Sequence, residues 1–397
     1  MKKVLLLIGL TGFIWVYFSF RTADTGIDSG LAPATQGSPR LAQLLGGEGS
    51  EGYATVIEPR RFEFPRDHGP HADYRNEWWY LTGNLDSENN QRFGFELTLF
   101  RFSLAAKEAE DASAWRSNQV FVGHFAITDT STGKFHVAQR YSRAGLGLAG
   151  AQGEPFRVWL NDWELRETAH SGPAIQWHLS ANDDEIALEL LLTASKSPVL
   201  NGVDGLSQKS ATPGNASYYY SIPRLETKGT LRVGADSYEV SGLSWLDREW
   251  GSSGLSKTQQ GWDWFALQLS DGSDLMFYNL RLMNGEQDEY SAGTYVSAEG
   301  VATPLSRDDL TIEVLEHWDS PRGVRYPMGW RLQIKPLDLS LVVTPIMRSQ
   351  ELSALVRYWE GAVDVRGEFG DDGRISGRGY VELTGYADAL VSHKAAD

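Results

Sequence analysis

Hydrophobic and polar residues alternate along most of the chain, with the period of two that is typical of β-strands. From Tyr53 onward, short alternating or apolar runs are interrupted roughly every 8 to 15 residues by Gly, Asn, Asp or Pro, and no long run has a helical period. Phe93, Phe95, Leu97 and Leu99 fall on one face of such a run, and Ile186, Leu188, Leu190 and Leu192 repeat the pattern. Further predicted strands are 76–83, 119–129, 135–142, 156–166, 174–181, 228–247, 261–270, 273–281, 289–297, 309–316, 328–335, 338–344, 357–368 and 374–384.

So many strands are too many for one open sheet. Closure into barrels removes exposed strand edges, and about eight antiparallel strands make one small barrel. The sequence therefore predicts an all-β fold with two tandem antiparallel β-barrels, one over residues 52–227 and the other over residues 228–397. The boundary is placed after a stretch rich in Gly, Ser and Asn, residues 201–215, which also contains Pro213.

The first residues have the order of an export segment. Lys2 and Lys3 precede an uncharged run over residues 4–20, which ends at Arg21. Residues 1–21 are predicted to be a signal peptide or an uncleaved signal anchor, and both alternatives stay open. Residues 22–51 resemble a flexible linker. We therefore expect an exported, periplasmic protein, either soluble or tethered to the inner membrane by residues 4–20.

Composition excludes several classes of function. Lys and Arg number 36 against 52 Asp and Glu, and a net charge of −16 disfavours nucleic acid as a partner. The chain has no Cys, which excludes disulfides, thiolate nucleophiles and Cys-ligated metals. The sequence has no His-Glu-x-x-His motif, no Gly-x-Ser-x-Gly elbow and no Gly-rich phosphate loop, so we expect no metal, no serine hydrolase triad and no cofactor. Aromatic residues make up 12%, a content that suits strands and apolar ligand pockets.

The first of three aromatic and acidic clusters spans residues 68–85. On a strand over residues 76–82, Glu77 and Trp79 share one face, while Trp78 and Tyr80 share the other. Both faces are aromatic, so both should be covered. The cluster supplies six candidate ligand-binding residues, His71, Tyr74, Glu77, Trp78, Trp79 and Tyr80. The alternative is a structural strand in which Glu77 pairs with Arg75 or another Arg.

The second cluster spans residues 242–251 and places two carboxylates on one strand face. Trp245, Asp247 and Glu249 lie together, with Arg248 and Trp250 on the opposite face. Like charges this close are tolerated when one group is protonated, when a cation bridges them, or when both are solvated. A protonated carboxyl near pH 7 could act as a general acid, whereas solvated or Arg-paired acids would be structural.

The third cluster, residues 261–269, places Asp263 on an apolar face. Asp263 aligns with Phe265, Leu267 and Leu269, while Trp262 and Trp264 alternate with it. A carboxyl at the end of such a face must find a partner or raise its pKa. Asp263 is therefore a candidate catalytic acid, and the alternative is a buried ion pair with Arg248 or Arg281.

Together these clusters resemble the motifs of the AttH-like and hydroxyneurosporene synthase (carotenoid 1,2-hydratase) family. The resemblance covers roughly residues 55–390 and rests on three motifs, His71-x-x-Tyr74-Arg-Asn-Glu77-Trp78-Trp79-Tyr80-x-x-Gly83, Trp245-x-Asp247-Arg248-Glu249-Trp250-Gly251 and Gly261-Trp262-Asp263-Trp264-Phe265. It implies two lipocalin-like barrels in tandem. Some members of the family hydrate a terminal carotenoid double bond. Many others are described only as secreted hydrolases or as lipocalin-like proteins linked to ABC-type exporters, and this chain is more similar to them.

Two hypotheses of function follow, and the sequence does not decide whether the protein is an enzyme. The leading one is an exported lipocalin-like protein that binds an apolar small molecule or lipid, with an inner-membrane ABC transporter as a candidate partner. The alternative is a hydratase that protonates an isoprenoid double bond. In that hydratase Asp263 is the acid, Asp247 or Glu249 orients water, and Trp250, Trp262 and Trp264 surround the cation.

Overall fold

A computed structural model describes residues 50–107, 117–168, 175–353, 357–370 and 373–387. The expected export segment, and the expected linker up to residue 49, lie outside the described residues. In the described part no helix has the length and hydrophobicity needed to cross a membrane. Both sheets described below lie in one compact unit of the chain.

The described residues form 23 strands and four short 3₁₀ helices. The strands are β1 (Asn76–Ser87), β2 (Arg92–Ser103), β3 (Gln119–Asp129), β4 (Lys134–Arg143), β5 (Ala149–Gln152), β6 (Arg157–Leu160), β7 (Trp163–Glu167), β8 (Gln176–Asn182), β9 (Ile186–Ala194), β10 (Val199–Leu200), β11 (Leu206–Gln208), β12 (Ala216–Val233), β13 (Asp236–Gly251), β14 (Gln259–Leu269), β15 (Asp274–Leu282), β16 (Ala292–Val296), β17 (Ala302–Ser306), β18 (Leu310–Asp319), β19 (Arg325–Ile334), β20 (Leu339–Pro345), β21 (Glu351–Ser353), β22 (Arg357–Phe369) and β23 (Gly373–Leu383). The 3₁₀ helices are Arg66–His68, Gly145–Gly147, Arg307–Asp309 and Lys335–Leu337.

All of the strand pairings are antiparallel, and they form two sheets. The first sheet has 13 strands in the order β4-β3-β2-β1-β13-β12-β9-β8-β7-β6-β5, with β10 and β11 also paired to β12. The second has 10 strands in the order β17-β16-β15-β14-β23-β22-β20-β19-β18, with β21 also paired to β22. The first sheet curls into a nearly closed barrel and the second into a half-barrel, which confirms the predicted all-β, two-barrel, lipocalin-like fold.

Each sheet has its own apolar core, and a third apolar cluster lies where the sheets face each other. Trp79, Phe95 and Trp163 belong to the first core, and Phe265, Trp330 and Trp359 to the second. The third cluster contains Tyr80, Tyr219, Trp245, Trp264, Met276, Tyr278 and Tyr380, with Trp78 and Trp262 packed against it. The strands around this interface are therefore covered on both faces, as the aromatic alternation of residues 76–82 predicts.

The chain passes from the first sheet to the second between Gly251 and Gln259, later than the expected boundary at residues 227 and 228. Position 228 lies inside β12, and β12 and β13 form one long hairpin that stays in the first sheet. Residues 201–215 also belong to the first sheet. They contain β11, which pairs with β12, the strand that follows them. A run of Gly, Ser and Asn marks a loop here rather than a link between the sheets.

Candidate active site between the two sheets

A cavity of about 130 Å³ lies between the outer faces of the two sheets. An apolar cavity of about 150 Å³ is known to accept a benzene ring, so this one has room for a ring or a branched end group. The lining comes from both sheets and from residues that connect their strands. It consists of Asn76, Trp78, Tyr80, Thr98, Phe100, His124, Lys209, Ala216, Ser217, Tyr219, Asp247, Glu249, Gly251, Ser253, Gly254, Leu255, Trp262, Trp264, Tyr278, Leu280, Tyr358, Glu360 and Glu382.

The carboxyl of Asp247, on β13, is surrounded by hydrogen-bond donors. Ser221 Oγ and Trp245 Nε1 each donate to Oδ1 at 2.6 Å, and the Tyr219 hydroxyl donates to Oδ2. Burial raises the pKa of Asp247 to about 6, and these hydrogen bonds oppose the rise. At pH 7 Asp247 is therefore mostly a carboxylate.

Glu249 lies two residues along the same face of β13 and has a cationic partner. Lys209 Nζ lies 3.1 Å from Glu249 Oε1, and the Ser217 hydroxyl also donates to this carboxylate. The ammonium group lies 4.2 Å from the centre of the Tyr278 ring and donates to Ser207 Oγ at 3.0 Å. Although burial acts to lower the pKa of Lys209, the charge of Glu249 raises it overall, so Lys209 and Glu249 form a buried ion pair.

The second sheet contributes two carboxyls that have no cationic partner in the described residues. Glu360 on β22 accepts the Tyr80 hydroxyl at 3.0 Å, and Glu382 on β23 accepts Trp262 Nε1 at 3.0 Å. Burial, together with the charge of Glu382, raises the pKa of Glu360 well above its usual range. Burial raises the pKa of Glu382 to about 7. Burial therefore favours the neutral form of Glu360, and Glu382 can gain or lose a proton near neutral pH.

A third carboxyl with a raised pKa, Glu96, is fully buried on β2 of the first sheet and does not line the cavity. Its Oε1 accepts the Thr98 hydroxyl, while its Oε2 has no hydrogen-bond partner in the described residues. Burial raises the pKa of Glu96 well above its usual range, and the charge of Glu382 adds to the effect. In the described part of the chain, no group of three or more acidic or His side chains has the arrangement of a metal site.

Aromatic rings cover the rest of the cavity. Trp78, Phe100, Trp262 and Trp264 are among the lining residues, and Tyr80 meets Trp264 edge to face with ring centres 5.0 Å apart. Ring faces attract cations, and they exclude water from an apolar ligand. The cavity thus combines carboxylates on β13, two carboxyls with raised pKa values on β22 and β23, and aromatic rings. That separation of protonation states is the arrangement which general acid and base catalysis requires.

The structure brings together part of the predicted site. Trp78, Tyr80, Asp247, Glu249, Trp262 and Trp264 all line the cavity. Trp245 supports it from behind, because its indole donates to Asp247 and packs against Trp264 with ring centres 6.4 Å apart. The three residues Trp245, Asp247 and Glu249 share one face of β13, as their spacing predicts.

The other residues of the first two clusters lie on the inner side of the first sheet. Arg101 and Arg248 both pair with the fully buried Glu77, the structural alternative that the sequence left open. Burial acts to raise the pKa of Glu77, but these two guanidinium groups hold that pKa well below its usual range. His71 stacks on Trp250 with ring centres 3.7 Å apart, Arg248 covers Trp79, and Tyr74 packs against Tyr218. His71, Tyr74, Glu77, Trp79, Arg248 and Trp250 therefore do not line the cavity.

Asp263 also lies away from the cavity, on the opposite face of β14 from Trp262 and Trp264. Arg281 Nε lies 3.0 Å from its Oδ1, and Tyr386 donates to the same oxygen at 2.9 Å. Asn279 Nδ2 donates to Oδ2 at 3.1 Å. The sequence analysis predicted this ion pair with Arg281 as the alternative to a catalytic acid. Alternation places Asp263 with Phe265 on the core side, so it cannot share a wall with the two tryptophans.

Sequence reasoning missed the acids and phenols that the second sheet places at or near the cavity. Tyr358 and Glu360 share one face of β22, and Tyr380 and Glu382 share one face of β23. An acid that alternates with Tyr inside an otherwise apolar strand was a signal available for Glu360 and Glu382. Lys209 had no such signal, because it lies in a loop whose position depends on strand pairing.

Comparison with known proteins gives the family. A family model described as AttH-like matches residues 55–386. A crystal structure of a Nitrosomonas europaea protein described as an AttH has 33% sequence identity and a TM-score of 0.73, and the match covers 84% of this chain and 99% of that one.

Two fungal proteins are more distantly similar. The crystal structure of kievitone hydratase from Nectria haematococca shares the fold at 16% identity and a TM-score of 0.61, with 84% of this chain and 96% of that chain covered. Dehydratase asqC of Emericella nidulans is 24% identical over 177 residues, which is 42% of this chain and 48% of that protein. The chain thus spans about half the length of this curated relative. With the family model matching most of the chain, these findings show that the chain belongs to the AttH-like family.

Proposed function

We propose that this protein adds water to, or removes water from, a carbon–carbon double bond of an apolar substrate held between the two sheets. The observation that carries the proposal is that two carboxyls with different proton affinities line the same aromatic cavity. The pKa of Glu360 is raised well above its usual range, whereas the pKa of Asp247 is about 6. A neutral acid can protonate the alkene and a carboxylate can take a proton from water. The names of the hydratase and the dehydratase described above agree with this class of reaction.

In the hydration direction, Glu360 gives its proton to one carbon of the double bond. The other carbon becomes a carbocation, which the faces of Trp78, Trp262 and Trp264 stabilise. Water then forms the new C–O bond, and its released proton passes to Asp247. Dehydration follows the same steps in reverse, so the net change in either direction is one molecule of water.

After one turnover in the hydration direction Glu360 is ionised and Asp247 is protonated, so a proton must return. Glu382 is suited to that role because its pKa of about 7 is close to neutral. The charges of Asp247 and Glu249 raise the pKa of Glu382, and the charge of Glu382 raises the pKa of Glu360. Glu382 is therefore electrostatically linked to both the proposed acid and the proposed base.

This proposal moves the acid from Asp263 to Glu360. Asp263 forms an ion pair with Arg281, and it does not face the cavity. Asp247 remains a residue that acts on water, and Trp262 and Trp264 remain beside the cation, as the sequence analysis predicted.

The test is the incorporation of labelled oxygen by the full-length protein. The protein is incubated in H₂¹⁸O with isoprenoids that carry a trisubstituted terminal double bond, geraniol among them, and the products are analysed by mass spectrometry. We expect a hydrated product that contains ¹⁸O. Glu360→Gln should lower kcat about 100-fold or more, because the amide cannot donate the proton that the alkene needs.

The matched control is Glu368→Gln, which makes the same change on the exposed end of the same strand. It should leave turnover unchanged. Equal turnover by wild type, Glu360→Gln and Asp247→Asn would refute the assignment. A product without ¹⁸O would refute the reaction class itself.

Binding of an apolar molecule without chemistry uses the same cavity and is the second candidate. The aromatic lining favours it independently of the carboxyls. Native mass spectrometry of the protein, followed by extraction and identification of the bound material, distinguishes the two, because a binding protein returns its ligand unchanged. Co-purification with a membrane transporter tests the exporter partnership that the family resemblance implies.

A further inference from the structure

A neutral Tyr–His pair at the cavity wall has no part in the acid and base steps described above. The hydroxyl oxygen of Tyr358, on β22, lies 2.6 Å from Nδ1 of His124, which belongs to β3 of the other sheet. Both side chains line the cavity and both are buried. The pair is therefore a polar contact between the two sheets, within a lining that is otherwise rich in aromatic rings.

The surroundings of His124 determine which way this hydrogen bond runs. Gln139 lies directly opposite His124 in the β3–β4 pairing, and its side-chain nitrogen is 3.2 Å from His124 Nε2. With the Gln139 amide in this orientation, the nitrogen donates and Nε2 accepts. A neutral imidazole carries one hydrogen, which then belongs to Nδ1 and is donated to Tyr358. Burial lowers the pKa of His124 to about 4, so the ring is neutral at pH 7.

The hydroxyl hydrogen of Tyr358 is left for a ligand by this arrangement. Its oxygen already accepts from His124, and His124 is its sole hydrogen-bond partner in the described part of the chain. A buried hydroxyl that donates to nothing is unfavourable, and an oxygen atom of an incoming ligand would supply the missing acceptor. By contrast, the Tyr278 hydroxyl already pairs with Ser207 at 2.9 Å, and the Tyr219 hydroxyl donates to Asp247.

We propose that Tyr358, held in place by His124, donates a hydrogen bond to an oxygen atom of the substrate, so that the protein selects apolar molecules bearing a carbonyl or hydroxyl oxygen over pure hydrocarbons. This inference rests on the proposed function, because it concerns the same cavity. Tyr358 and Glu360 point from the same face of β22, so the bound oxygen would fix the substrate beside the proposed acid. His124 is a positioning residue that acts through Tyr358.

The test compares two ligands that differ only at the oxygen. Geranylacetone carries a ketone, and its methylene analogue has =CH₂ in place of the carbonyl oxygen. Each displaces the neutral fluorescent dye N-phenyl-1-naphthylamine from the full-length protein, which gives a dissociation constant without any turnover. We expect wild type to bind the ketone up to about tenfold more tightly than the methylene analogue.

Tyr358→Phe should bring that ratio close to one while the affinity for the methylene analogue stays within about twofold. His124→Phe, which keeps a ring at the same place, should also lower the ratio. The control is Tyr238→Phe, on the distant part of β13, where Tyr238 packs against Phe93. This variant should keep the wild-type ratio.

A wild-type ratio near one, or a ratio that Tyr358→Phe leaves unchanged, overturns the inference while leaving an apolar cavity and the proposed reaction intact. If neither the dye nor the ligands bind, the cavity is not a binding site and both proposals fail. A thermal unfolding curve of each variant shows that any loss of preference belongs to a folded protein.

Discussion

Buried glutamates take opposite charge states in this molecule according to what surrounds them. Glu77 and Glu360 are both fully buried. Two guanidinium groups accompany Glu77 and keep it ionised, whereas Glu360 has a tyrosine hydroxyl and two other carboxyls nearby and stays neutral. The first arrangement places an ion pair inside the first barrel, and the second supplies the proton donor of the proposed reaction.

Glu382 gives a pH dependence of stability that can be measured without a substrate. Because its pKa is raised from 4.5 to about 7 on folding, its contribution to stability is fully present below about pH 4.5 and is lost as the pH rises through about 7. Glu382→Gln cannot ionise, so above pH 7 it should be more stable than wild type by about 1–3 kcal/mol. Urea unfolding at pH 5 and pH 8 measures this difference, which should be several-fold smaller at pH 5.

Glu368→Gln is again the matched control, since that side chain is exposed and should show no difference between wild type and variant at either pH. If Glu382→Gln is destabilised equally at pH 5 and pH 8, the ionisation of Glu382 does not limit stability. The variant keeps an acceptor for the Trp262 indole, so a lost hydrogen bond would not explain the result.

At the scale of the strand, one element serves two environments. On β14, Phe265 and Leu267 fill the second core while Trp264 and Ala266 belong to the cluster between the sheets. On β13, Trp250 packs in the first core while Asp247 and Glu249 face the cavity. Alternation therefore determines which chemistry each strand can present to the cavity.

This alternation is why the sequence predicted so much of the local structure. The shared faces of Trp245, Asp247 and Glu249, and of Trp78 and Tyr80, follow from the two-residue period alone. Which face meets the other sheet does not follow from it, because that depends on pairings between residues far apart in the chain. Asp263 was therefore assigned to the site, whereas Glu360 and Glu382 were not identified.

Connecting segments also shape the cavity. The loop between β11 and β12 contributes Lys209, and residues 252–258 between the sheets contribute Ser253, Gly254 and Leu255. Asn215 Nδ2 donates to the carbonyl oxygen of Gly254 at 2.5 Å and so fastens these two segments together. The composition of residues 201–215 indicated a loop, but it gave no information about the segment that the loop would meet.

Asn215→Ala should loosen both segments and leave the barrels unaffected. Without the side-chain donor, amide hydrogens in residues 209–215 and 252–258 should exchange several-fold faster, because local opening costs less free energy. Hydrogen–deuterium exchange with mass spectrometry measures this, with β1 and β9 as internal references. Unchanged exchange in both segments would show that this hydrogen bond does not hold the two segments together. Faster exchange everywhere would indicate a general loss of stability.

At the scale of the whole molecule, a buried carboxylate of the second sheet forms ion pairs with two cations from the first-sheet part of the chain. Asp274 on β15 is fully buried and accepts Lys196 Nζ at 2.7 Å and Arg224 Nη2 at 2.8 Å. Lys196 also donates to the carbonyl oxygens of Gly272 and Ser297, and Arg224 to that of Leu269. Both cations come from the part of the chain that forms the first sheet, so Asp274 links the two barrels.

Asp274→Ala should reduce the free energy of unfolding by about 3–5 kcal/mol, because it leaves two largely buried cations without their carboxylate. The comparison is Asp86→Ala, which removes the half-exposed pair with Arg378 between the same two sheets and should cost less than about 1 kcal/mol. Urea unfolding monitored by tryptophan fluorescence gives both values. Similar losses in the two variants would contradict the special role of Asp274.

The position of the cavity, outside both cores, has a consequence for how such proteins diversify. In a lipocalin-like barrel that holds its ligand inside, a change of ligand alters the packing that folds the protein. Here the residues that line the cavity, apart from Ala216, are separate from those that fill the two barrels, even where they are neighbours on one strand. Specificity can therefore diverge through substitutions that leave the folding cores intact, and a library of variants at the cavity-facing positions should yield many folded proteins with altered ligand choice.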